Sequence, residues 1–97
     1  MSNQVIRYTF SKHIPLEEVE ASLLLAVMAC EGLHGPIDAM LDAQYFLDKS
    51  KRECVLDAST QIGRDFARLF NGFLNREFAA DEYGVELVSG HCGSEVA

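Results

Sequence analysis

The chain alternates between two hydrophobic periods. From Val5 to Phe10 the period is two: Ile6, Tyr8 and Phe10 share one face, and Val5, Arg7 and Thr9 the other. Aromatic and β-branched residues in that alternation predict a strand. Pro15 then opens a second pattern. Leu16, Val19, Leu23, Ala26, Val27 and Cys30 recur at three- and four-residue steps, with Glu17, Glu18 and Glu20 close to the start. Proline suits the first helical position, and acidic residues suit the positive end of the helix dipole. The spacing predicts a helix from Pro15 to about Leu33, ended by Gly32 or Gly35 and blocked from continuing by Pro36.

Strict alternation returns from Ile37 to Asp48, with Ile37, Ala39, Leu41, Ala43, Tyr45 and Leu47 on one side. This predicts a long strand with one buried face. Lys49-Ser50-Lys51-Arg52 reads as a hairpin turn, and Glu53 to Ala58 as a shorter strand with Cys54, Leu56 and Ala58 inward. Ser59 or Thr60 is a candidate helix cap. Ile62, Phe66, Leu69, Phe70 and Phe73 then form a helical stripe running to about Phe78. Gly63 and Gly72 lower the helix propensity of this segment, so packing must hold it. Asp81 to Gly84 reads as a turn and Val85 to Val88 as a last strand. Ser89 to Ala97 has no periodicity and is expected to hang free.

The element order is β-α-β-β-α-β, an α+β domain over residues 1–88. Right-handed crossovers that keep both apolar stripes dry predict a ferredoxin-like sandwich: a four-stranded antiparallel sheet with two helices on one face. This architecture hosts many unrelated activities.

It also leaves surfaces uncovered. On the bare sheet face, the alternation places Met40, Phe46 and Val55 beside Val5, Arg7, Asp42 and Gln44. On the first helix, Leu24, Leu25 and Met28 lie away from the core side, where a monomer is expected to be polar. Uncovered apolar groups of this size are candidate interfaces. The second helix presents a polar stripe instead: Arg64 and Arg68 one turn apart, continued by Asn71 and Asn75. It suits an acidic partner or a carboxylate ligand. The interface candidates are therefore Leu24, Leu25, Met28, Met40, Phe46, Val55, Arg64 and Arg68.

Charge narrows the partners. Fifteen acidic residues against eight basic ones give a net charge of −7, which repels a phosphate backbone. Nucleic acid and anionic membrane are not expected partners. The longest apolar stretch, Ala21 to Cys30, is too short to span a bilayer, and no basic-then-apolar leader precedes Val5. Three widely spaced cysteines fit a reducing cytoplasm better than a disulfide framework.

No catalytic constellation emerges. Cys30 and His34 have the four-residue spacing of two helical metal ligands, but structural zinc needs four ligands and no C-x-x-C is present. Cys54 alternates with Leu56 and Ala58, which makes it a buried, inert thiol. Asp38, Asp42, Asp57 and Glu86 are spread by strand geometry rather than focused, and His91-Cys92 falls in the tail. No phosphate-binding glycine loop or zinc-protease motif occurs, so no metal or cofactor is assigned. The residues favour a non-catalytic protein–protein interaction or assembly module, either a homodimer or a subunit docked on a larger protein. The alternative is a small-ligand-binding domain or enzyme with a site near Tyr8, His13, His34 and Tyr45.

Overall fold

The computed structural model describes residues 4–89. Its elements are β1 (Gln4–Phe10), α1 (Leu16–His34), α2 (Pro36–Asp42), β2 (Tyr45–Asp48), β3 (Glu53–Asp57), α3 (Gln61–Glu77), a 3-10 turn (Ala80–Glu82) and β4 (Tyr83–Ser89). The chain is α+β. The described residues form one four-stranded sheet in the order β2-β3-β1-β4, antiparallel throughout, and three helices.

Register divides the sheet into two faces. Tyr8 stands opposite Cys54, and Cys54 opposite Leu47. These face the helices. In the same core lie Val19, Leu23, Ala26 and Cys30 of α1 and Phe66, Phe70 and Leu74 of α3. Tyr8 and Phe70 meet edge to face at a centroid distance of 4.9 Å, an arrangement worth about 0.5–1.5 kcal/mol beyond its buried area. On the reverse face, Phe46, Val55, Arg7 and Glu86 line up as one row across all four strands.

The cap of α3 forms as its sequence requires: the Thr60 hydroxyl accepts from Gly63 N at 2.9 Å, satisfying one of the orphan donors of the first turn. Gly63 has a second reason to be glycine. An added Cβ would sit 2.3 Å from the Asp57 carbonyl oxygen, so α3 enters the fold hard against the end of β3.

The long strand expected from Ile37 to Asp48 is overturned. Pro36–Asp42 is helical and only Tyr45–Asp48 is strand. The alternation of Ile37, Ala39 and Leu41 is also compatible with Ile37, Met40 and Leu41 at i, i+3 and i+4. Three features favour the helix. Gly35, at φ 89°, turns the chain out of α1 in a conformation that suits glycine. Pro36 occupies the first position. Ala39, Met40 and Leu41 are strong helix formers. Gln44 closes the element, its amide donating to the Met40 and Leu41 carbonyls at 3.1 Å each. Met40, Asp42 and Gln44 therefore leave the bare sheet face to which the alternation had assigned them. The last strand begins at Tyr83 and includes Ser89, so it is longer than Val85–Val88. The tail expectation for 90–97, with His91 and Cys92, lies outside the described residues.

Among the described residues, no helix is long and apolar enough to cross a membrane.

Candidate functional site

The eight candidate residues fall on four separate surfaces. Leu24 and Met28 project from the outer side of α1, 57% and 63% exposed. Leu25 leans toward α3 and shares a cleft with Phe73 and Arg76. Met40 sits on α2, exposed beside Ile37 and Leu41, with Leu33 exposed near the end of α1. Phe46 and Val55 share the bare sheet face, where the neighbouring Arg7 pairs with Glu86 at 2.7 Å. That ion pair holds the Arg7 pKa above its usual value. Arg64 and Arg68 belong to the fourth surface.

This fourth surface is a groove of about 520 Å³ between α3 and β4. It exists because, among the described residues, the two long helices pack over β1 and β3 and leave the helix-facing side of β4 bare. Val85 and Leu87 point to that side, in register with Tyr8 and Ile6, yet they are 51% and 67% exposed. Opposite them stands the polar stripe of α3. Arg64 donates to Gln61 Oε1 at 3.2 Å and to the Ala58 carbonyl at 3.4 Å. Arg68 reaches Asp65 only at 3.9 Å. Asn75 Oδ1 accepts from the Tyr83 hydroxyl, and Asn71 Oδ1 is buried without a partner. Tyr8 also lines the groove. Its side chain is 1% exposed and burial pushes its hydroxyl pKa well above the ordinary value, so it stays protonated.

Elsewhere the candidate chemistry disperses. Cys30 and His34 do not act together: the Cys30 thiol points to the Ile62 carbonyl at 3.9 Å. His34 Nε2 instead meets Asp65 Oδ2 at 2.8 Å. Burial pushes the Cys54 thiol up to about 12. The site imagined near Tyr8, His13, His34 and Tyr45 does not assemble. His13 is exposed in the loop before α1, His34 is bound at the far end of that helix, and Tyr45 packs on Phe66 at 5.9 Å, separated from Tyr8 by β3. Among the described residues, no three His, Cys, Asp or Glu side chains gather where they could hold a metal.

The basic hairpin tip also differs from a simple solvated turn. Arg52 is half-buried and donates to the carbonyls of Ser11, at 2.7 and 3.2 Å, and of Ile14.

The groove was missed in the sequence because it needs two distant segments to face each other. The available signal was the apolar pair Val85 and Leu87 on the helix-facing parity of a strand that the expected order places at an edge. Compared with protein-family models, curated proteins and solved structures, the chain matches none.

Proposed function

We propose that this chain is a non-catalytic assembly module of the ferredoxin-like type that pairs with a second copy of itself through the outer face of α1. The observation that carries this reading is that α1 is apolar on almost every side. Val19, Leu23, Ala26 and Cys30 are buried, Leu24 and Met28 remain exposed on the opposite side, and Leu25 is exposed at the flank beside α3. A helix that is hydrophobic all round is normally covered all round, and symmetric pairs are the commonest way to cover such a face.

The architecture supports the type. Read from the β4 edge, the strand order is β4-β1-β3-β2, with β1 and β2 parallel to each other on either side of β3. This order suits the split β-α-β arrangement of the ferredoxin-like class, with α2 taken as an addition to the first crossover. The two buried, unpaired thiols Cys30 and Cys54 suit a reducing compartment, the cytoplasm being the simplest.

The test is sedimentation equilibrium of the chain and of Leu24→Glu and Met28→Glu variants. Both residues are exposed, so the variants should fold. A dimer that dissociates on either substitution is the expected result. A monomer at all concentrations in the unsubstituted chain would end the self-assembly reading.

A further inference from the structure

We propose that the groove between α3 and β4 binds a small amphipathic monocarboxylate, its carboxylate held by Arg64 and Arg68 and its apolar body lying along Val85 and Leu87.

Charge is the first argument. The chain as a whole carries −7, yet among the described residues those lining this groove include two arginines and no acidic side chain. An anion is therefore attracted to this position against the sign of the whole molecule. Guanidinium groups match a carboxylate with paired, charge-assisted hydrogen bonds. Arg68 is not locked away, with only the 3.9 Å contact to Asp65 among the described residues and a side chain 79% exposed; Arg64 is steadied by Gln61 at 3.2 Å and the Ala58 carbonyl at 3.4 Å.

The second argument is polarity along the groove. Val85, Leu87 and Ile6 form an apolar strip, while polar groups lie beside it. Tyr8 lines the groove, and among the described residues Asn71 Oδ1 is buried and unpartnered. Few polar groups set into an apolar surface, in a volume of 300–1,000 Å³, is the usual make-up of a small-molecule site, and 520 Å³ falls in that range.

The third argument is Gly72. It sits inside α3, where glycine costs about 1 kcal/mol relative to alanine. Nothing in the packing requires it, because an added Cβ meets no atom within 4 Å. Gly72 lines the groove, so a side chain there would project into it. A glycine that the fold does not need is explained by the space it keeps open.

The test titrates sodium decanoate, with 1-decanol as the uncharged control, into the full chain while recording amide chemical shifts. Saturable shifts in β4 and in α3 from Arg64 to Asn75 are expected. Decanol and the Arg64→Gln, Arg68→Gln double variant should each bind about tenfold more weakly or worse, the loss of one charge-assisted contact. Gly72→Phe, whose added atoms meet open space, should remove binding while its melting curve stays cooperative. Shifts spread over α1 and α2, equal binding of decanol, or undiminished binding by a folded Gly72→Phe chain would each overturn the assignment.

Discussion

The Arg52 guanidinium and the Ser11 carbonyl meet at 2.7 Å, which ties the turn between β2 and β3 to the loop that launches α1. The same strand end is fixed by backbone, since Phe10 N donates to the Arg52 carbonyl at 3.0 Å. Arg52 reaches this position with φ at 56°, a left-handed conformation that costs a non-glycine residue about 1–2 kcal/mol. The side-chain contacts offset that cost.

Arg52→Ala should therefore lower stability by about 1–2 kcal/mol through loss of the charged donor. Arg52→Gly loses the same contacts but relieves the backbone, so it should be less destabilised than the alanine variant despite its extra unfolded-state freedom. Urea unfolding of the two variants side by side checks the order. Equal midpoints would mean that the backbone conformation stores no strain.

Two glycines in α3 should respond in opposite directions to alanine. Gly72→Ala enters open space and should gain about 0.5–1 kcal/mol from helix propensity. Gly63→Ala would drive a methyl to 2.3 Å from the Asp57 carbonyl. The cap must then move, and a loss of about 1–3 kcal/mol is expected, as in overpacked cores. Thermal melts of the pair should bracket the parent, with Gly72→Ala above it and Gly63→Ala below.

Asp65 links the start of α3 to the end of α1. Its hydrogen bond with His34, at 2.8 Å, and a second from Gln61, at 3.0 Å, hold its carboxyl below the ordinary aspartate pKa. A group whose folded pKa is depressed adds stability above its unfolded value, about 3.9, and loses it as pH falls through the lower folded value. Asp65→Asn should melt below the parent at neutral pH, and the gap should close in acid below about pH 4. A gap that stays constant from pH 7 to pH 2 would show that the charge is not the source.

Burial raises both described thiols, Cys54 to about 12 and Cys30 in the same direction. At pH 8 Cys54 is therefore held as the thiol, and thiolate is the reactive form. Thiol reagents should modify Cys30 and Cys54 no faster than the chain unfolds. The raised values also mean that the unfolded state releases its protons first, so stability should decline as pH rises above about 8.5. Rapid labelling of either residue in a Cys92→Ser chain, without loss of the native melt, would contradict their burial.

Legibility tracked the strength of local signals. α3 was readable because the Thr60 cap, the Phe66-Phe70-Phe73 stripe and the exit near Phe78 agree, and α1 because its acidic first turn and its glycine-proline stop agree. The segment Ile37–Asp42 was misread because so short a run does not distinguish period two from i, i+3, i+4 when half of it is alanine, methionine and leucine. The exposed apolar faces of α1 followed from helical projection alone. The exposure of the apolar side of β4 did not, because it depends on how far the helices extend over that edge of the sheet.

The order of elements other than α2, the inward faces of β1, β3 and α3, and the net charge were determined by the amino-acid sequence itself, because each depends on residues a few positions apart. Only the tertiary structure decided that Arg64 and Arg68 look across a gap at Val85 and Leu87, that Arg52 closes on Ser11 and Ile14, and that Asp65 captures His34. Those meetings depend on where each strand takes its place in the sheet and how far the helices extend over it. Long-range pairing sets both, and a local period carries no record of it.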